Sequence, residues 1–208
     1  MVREILEAEK PNSILFVHGN RSYEISGAKK SFEPYLQDYR VTHFSGLGKS
    51  PYIEDVQRAI DTIEENDIDL ILAVGGGTVM DVAKAASVLC KEEGDLEQFI
   101  NGTNKPKGLN LTRVLVPTTA GTGAEITPFA VVYIDKTKYS LAHPSMVPNY
   151  IIFSPELTFS LSPEVTRATG CDALAQAIEG FWSVNSTEES RRYSKLAIPL
   201  IFDHLPRS

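Results

Sequence analysis

The sequence predicts an α/β domain over residues 1–160, followed by the first part of an all-helical domain over residues 161–208. Three observations carry that prediction. The apolar run Leu70-Ile71-Leu72-Ala73-Val74 feeds straight into Gly75-Gly76-Gly77, and helical spacing begins at once. A second apolar run at 111–116 feeds a second small-residue loop, Pro117-Thr118-Thr119-Ala120-Gly121-Thr122-Gly123-Ala124-Glu125. From Glu164 onward the strand signal stops and helical spacing takes over.

The elements follow in order. Residues 12–18 hold Ile14, Leu15, Phe16 and Val17 in succession, a buried first strand that ends at Gly19, Asn20, Arg21 and Ser22. Residues 23–36 read as helix, with Gly27 weakening its first turn. A short strand at 39–44 and a loop at 46–51 come next, and Pro51 suits the first turn of a helix running to about Glu65. In that helix Tyr52, Val56, Ile60 and Ile63 keep to one side, as expected of a helix covering a sheet. The central strand at 70–74 and a helix at 78–90 follow. Residues 94–110 are loose, because Pro106 and Gly108 oppose a long regular element. A strand at 111–116 leads to a hairpin of 129–134 with 139–142 and a last strand at 150–153. Beyond Pro163, Asp172 reads as a helix-capping or first-turn carboxylate, with Gln176 and Glu179 along the same face. An amphipathic stretch at 187–205 carries Tyr193, Leu196, Leu200 and Ile201.

Composition narrows the function. A net charge of −7 without a Lys/Arg block disfavours nucleic acid and anionic membrane as partners. Residues 1–11 carry no secretory signal, and no apolar run reaches membrane-spanning length. Two cysteines, Cys90 and Cys171, make neither a disulfide framework nor a zinc cluster, so a cytoplasmic chain is expected. The four histidines, His18, His43, His143 and His204, offer no close pair for a metal. The first strand, taken as an edge, leaves homodimer pairing or internal cover open.

The glycine run is where chemistry concentrates. Without a Cβ the backbone admits close approach, and the new helix points unpaired N–H groups and the positive end of its dipole at whatever lies there. A phosphate suits that place, and a structural tight turn is the plainer alternative. The run is neither the spaced Gly-x-Gly-x-x-Gly pattern nor a Walker loop. If the strands at 70–74 and 111–116 are parallel, the hydroxyls of the second loop stand at the same end and complete a cleft.

Four segments together resemble the iron-containing, group III alcohol dehydrogenase family. They are Gly75-Gly76-Gly77-Thr78-Val79-Met80-Asp81-Val82-Ala83-Lys84, the 117–125 loop, Ser154-Pro155-Glu156-Leu157, and Thr169-Gly170-Cys171-Asp172-Ala173-Leu174 with its continuation to Glu179. The resemblance implies a Rossmann-like nucleotide-binding domain followed by an all-helical metal and substrate domain, the fold shared with dehydroquinate synthases. It implies that Gly76 and Gly77 face a dinucleotide diphosphate, with Gly75, Thr78 and Asp81 of the same run among the cofactor-binding residues. Thr118, Thr119 and Thr122 would line the dinucleotide, and Leu157 would pack on the adenine. Lys138 is expected at the nicotinamide ribose or substrate side, as the candidate catalytic residue, against the plainer reading of an exposed turn lysine.

In this family an Asp after the first strand favours NAD by accepting from the ribose diol and repelling a 2′-phosphate. Gly19 removes that repulsion and Arg21 with Ser22 suits a phosphate, so NADP is expected over NAD. The implied reaction is hydride transfer between the nicotinamide and a small aldehyde or alcohol, with Fe²⁺ or Zn²⁺ polarising the oxygen. Asp172 matches the family's metal-binding Asp, while Gln176 stands where its first His would be. The remaining two histidines belong to a region beyond Ser208, so a truncated or partial chain is expected. The Gln176 departure and the overall pattern are also similar to reductases of phosphonoacetaldehyde. Two other readings stand beside this one: a non-catalytic nucleotide-binding domain working with a partner, and a metal-dependent lyase like dehydroquinate synthase.

Overall fold

The computed structural model describes residues 1–108 and 110–208. Leu109, within the segment expected to be loose, lies outside the described residues. The chain runs α1 (Val2–Glu9), β1 (Ser13–His18), α2 (Asn20–Ile25), α3 (Ala28–Leu36), β2 (Arg40–Phe44), α4 (Ile53–Glu65), β3 (Leu70–Gly75), α5 (Gly77–Leu89), α6 (Leu96–Ile100), β4 (Thr112–Pro117), β5 (Phe129–Ile134), β6 (Thr137–Ala142), β7 (Tyr150–Ile151), α7 (Pro163–Trp182) and α8 (Glu188–His204). Short 3-10 turns lie at Pro144–Met146, Pro155–Thr158 and Leu205–Arg207.

The main sheet is parallel, in the order β2-β1-β3-β4-β7. Both of its faces are covered, which is why β3 and β4 read as continuous apolar runs rather than alternating ones. Ile14, Phe16, Leu72 and Val116 pack on one face with α1, Tyr23, Phe32 and Leu36. Leu15, Val17, Ile71 and Leu115 pack on the other with α4, α5 and the β5–β6 hairpin. α5 is the central helix, buried along Val79–Leu89 without interruption. The hairpin is a separate antiparallel ribbon turned by Asp135, at φ 53°, and Lys136.

Several expectations change here. The helix expected at 23–36 starts at Asn20 and breaks at Gly27, whose φ of 80° belongs to the left-handed region that glycine enters without strain. Pro51 lies outside α4, because its carbonyl accepts from the Tyr133 N–H at 2.8 Å and Tyr52 bridges the hairpin instead. The loose stretch contains a short helix, α6, capped by the Asp95 side chain. β1 is an interior strand between β2 and β3, so pairing across a dimer through residues 12–18 is closed off; the sheet edges are β2 and β7. Asp172 is not a cap. α7 begins eight residues or more upstream, with Ser162 accepting from the Val165 N–H and Pro163 in the first turn, so Asp172 sits in mid-helix.

The two last helices form a layer of their own. Thr187 and Ser190 close a capping box at the start of α8. α7 buries none of its residues, and Trp182 at 74% and Val184 at 98% exposure stand open at its end. No helix among the described residues is long and apolar enough to cross a membrane.

Candidate functional site

The strand order sets the location. The chain leaves β1 toward β2 on one side and leaves β3 toward β4 on the other, so the carboxyl ends of β1 and β3 form the switch point of the sheet, where open α/β sheets bind ligands. Gly19 and Gly76 end those strands as N-caps of α2 and α5, and neither helix start has a side chain accepting its first N–H groups. At α5, a helix of 13 residues, these donors face the crevice with the positive dipole end behind them.

The threonine loop closes over this point. β3 and β4 are parallel, with Gly75 opposite Pro117, and the Thr118 N–H donates to the Gly75 carbonyl at 2.9 Å. A methyl built on Gly76 would lie 3.3 Å from Thr119 Cγ2, and one on Gly77 3.1 Å from Thr122 Cγ2. Only glycine leaves that space between loop and helix end free. Gly75 is packed differently, with Val79 in the space a methyl would need. Thr78 turns outward, its hydroxyl donating to the Lys49 carbonyl at 2.9 Å.

Arg21, Ser22, Thr118 and Leu157 line one cavity of about 300 Å³ between α2 and the Pro155–Thr158 turn. Gly19 stands at its side, where a methyl would meet Ser22 Oγ at 2.1 Å. Asp81 lies elsewhere, with the hairpin. Burial pushes its carboxyl up to about 6 against the opposing pull of Lys84, and the backbone of Val131 hydrogen-bonds to it. Lys138, on β6 opposite Tyr133, is exposed and its charge acts on Asp81.

Asp172 and Gln176 face the loop from α7. Gln176 Nε2 donates to Asp172 Oδ2 at 2.9 Å and to the Gly121 carbonyl at 3.3 Å. These residues do not fit a catalytic metal. Such a metal takes three protein ligands and keeps an open position, and among the described residues no group of three or more His, Cys, Asp or Glu is placed to hold an ion.

Two features escaped the sequence. His18 and His43, 25 residues apart, meet on neighbouring strands with Nε2 and Nδ1 3.2 Å apart, correcting the expectation of no close pair. The Gly19 carbonyl accepts from His18 Nδ1, so neutral His18 presents Nε2 as acceptor and His43 donates from Nδ1. Burial, with the His43 charge adding, holds His18 below the usual imidazole range, although the Gly19 bond and Glu33 oppose it. The second feature is Lys84, wholly buried, whose ammonium donates to Thr127 Oγ1, Thr127 O and Phe129 O and lies 3.5 Å from Asp81. A lysine inside an apolar helix was the available signal for it.

The chain and its fold have counterparts among known proteins. A family model described as iron-containing alcohol dehydrogenase matches residues 1–155. Long-chain-alcohol dehydrogenase 1 of Geobacillus thermodenitrificans is 35% identical over 167 residues, 79% of this chain and 42% of its own. Sulfoacetaldehyde reductase of Bilophila wadsworthia is 34% identical over 153 residues, 73% of this chain and 39% of its own. Among solved structures, sulfoacetaldehyde reductase from Bifidobacterium kashiwanohense in complex with NAD⁺ superposes with TM-score 0.91 at 29% identity, over 99% of this chain and 55% of that one. An iron-containing alcohol dehydrogenase from Thermotoga maritima gives 0.89 at 31%, over 98% of this chain and 56% of that one. The chain thus spans about half the length of the curated relatives it matches.

Proposed function

The chain belongs to the iron-containing alcohol dehydrogenase family, and from that premise we propose that it is the nucleotide-binding part of an NAD(P)-dependent oxidoreductase acting on small aldehydes or alcohols. The observation that carries this reading is the convergence of the uncapped start of α5 with Thr119 and Thr122 at the switch point of the sheet. The diphosphate lies on the N–H groups of Gly77 and Thr78, in the space that glycine keeps open. The adenosine occupies the cavity lined by Thr118 and Leu157. Gly19 offers no carboxylate to a 2′-phosphate, and Arg21 and Ser22 stand beside it, so NADP is preferred over NAD.

When bound, the nicotinamide exchanges a hydride with the carbonyl carbon of the substrate. The chain's part is to bind and orient: α5 and the threonine loop fix the diphosphate, and Lys138, exposed on the hairpin, is the residue assigned to the substrate side. Lys138 there supplies the cation that an anionic small aldehyde needs, sulfonated or phosphonated. No step is assigned to a metal, since the residues present do not complete its site. The second reading is a non-catalytic nucleotide-binding domain working with a partner.

A titration of the 208-residue chain with NADPH and with NADH, following energy transfer from protein to nicotinamide fluorescence, tests the proposal. Saturable binding tighter for NADPH is expected. A folded chain that binds neither refutes it, and binding without oxidation of NADPH by small aldehydes selects the second reading.

A further inference from the structure

The Gln176 side chain has only one chemically sensible orientation. Its two neighbours, the Asp172 carboxylate at 2.9 Å and the Gly121 carbonyl at 3.3 Å, are both acceptors. Turning the amide over would set its oxygen against both of them and lose both hydrogen bonds. The atom directed at Asp172 is therefore an amide nitrogen, which donates hydrogen bonds and does not ligate a cation.

What this nitrogen joins is specific. Gly121 lies directly on α7: a methyl there would stand 2.6 Å from the Thr169 carbonyl oxygen and 2.9 Å from Thr169 Cα. Next to Gly121, Thr122 is the wall over Gly77. A continuous line of contact runs from Asp172 through Gln176 and Gly121 to Thr122 and the start of α5.

We infer that Gln176 is a positioning residue, a strut that ties α7 to the threonine loop and holds Asp172 by a hydrogen bond, in place of the metal-ligand role that the family resemblance suggests. The inference rests on the nucleotide-site reading for its effect on cofactor, but not for the strut itself. Loss of the donor frees the Gly121 carbonyl and loosens the wall over the diphosphate. Glutamate at this position is the harsher variant: it is close in shape to glutamine, carries no N–H, and in its ionised form repels Asp172 one turn away.

The experiment compares the full chain with Gln176→Leu and Gln176→Glu at pH 7.5, reading NADPH affinity and deuterium exchange of the 117–125 loop. Loss of the bond that reaches the loop, to the Gly121 carbonyl, predicts roughly two- to tenfold weaker NADPH binding for both variants, with faster loop exchange. Gln176→Glu, which adds like-charge repulsion to the lost donor, speeds loop exchange at least as much as Gln176→Leu. Unchanged loop exchange in both variants overturns the inference. So does stoichiometric Zn²⁺ binding by the parent chain that Gln176→Leu abolishes. If the parent chain binds no nucleotide, the cofactor reading fails, and loop exchange alone decides the strut.

Discussion

Replacing Lys84 with methionine tests how the hairpin is held to the central helix. Methionine has a similar reach and no donors, so the change leaves the apolar stem in place and removes the ammonium. Lys84 donates to Thr127 Oγ1 at 3.0 Å, to Thr127 O at 3.3 Å and to Phe129 O. The Thr127 hydroxyl lies 3.2 Å from Phe129 O and donates to it, so that acceptor stays covered. The Thr127 carbonyl and the Asp81 carboxylate remain. An orphaned buried acceptor costs about 1–3 kcal/mol, and a buried ion pair broken on one side about 3–5 kcal/mol. Asp81 escapes the larger penalty by protonating, because burial already pushes it up to about 6 and the opposing cation is gone. The expected loss is therefore about 2–4 kcal/mol, a fall of about 1–2 M in the urea midpoint. The sign with pH follows. A carboxyl raised in the folded state is penalised when ionised, so Lys84→Met gains stability as pH falls from 7.5 to 5.5 relative to the parent chain. Urea melts at both pH values measure it. A midpoint within about 0.3 M of the parent at neutral pH, or no relative gain in acid, refutes the account of Lys84 as the cation between α5 and the hairpin.

The remaining predictions concern the crevice and its rim. Gly77→Ala pushes a methyl to 3.1 Å from Thr122 Cγ2, and should weaken NADPH binding by tenfold or more while the urea midpoint holds, since alanine favours the helix by about 1 kcal/mol; unchanged affinity in the titration removes the diphosphate from this place. Gly19→Asp should turn the preference toward NADH by roughly tenfold or more, about 1.4 kcal/mol, as a carboxylate accepts from the ribose diol and repels a 2′-phosphate, and a ratio of the two dissociation constants that stays put argues against Gly19 as the selector. His18→Gln should flatten the acid side of the stability curve. The imidazole is held below its ordinary 6.5 in the fold, so the unfolded chain takes up the proton first and stability falls as pH drops below that value. Asp81 acts in the opposite sense between 3.8 and about 6, so the difference between the parent and His18→Gln curves is the quantity to read.

Local signals and non-local consequences separate cleanly in this chain. The strand-glycine-helix unit at 70–89 was legible because burial on both faces leaves an uninterrupted apolar run, whereas the parallel pairing of β3 with β4 entered only as a condition and is supplied by the structure. The convergence of Arg21, Ser22, Thr118 and Leu157 on one cavity came through the family resemblance, since no spacing rule joins residues so far apart in the chain. Strand order was not legible: nothing local distinguishes an interior first strand from an edge, and the error at β1 follows from that. The His18–His43 contact is hidden for the same reason, being a product of sheet register. Asp172 was misread although the signal was present, because Ser162 followed by Pro163 is an N-terminus in its own right and the helix never restarts at Thr169.

The placement of the strands has a consequence for the order in which the molecule takes shape. All five strands of the main sheet and the helices on both faces are encoded by Ile151, ahead of α7. Domains emerging from the ribosome fold from the N-terminus, at about 5–20 residues per second of synthesis. The strands that end at the crevice, β1, β3 and β4, and the Gly121 loop therefore leave the ribosome ahead of α7, and the backbone that Thr169 packs on belongs to chain made earlier. The seam between loop and helix joins the part of the chain made early to the part made late.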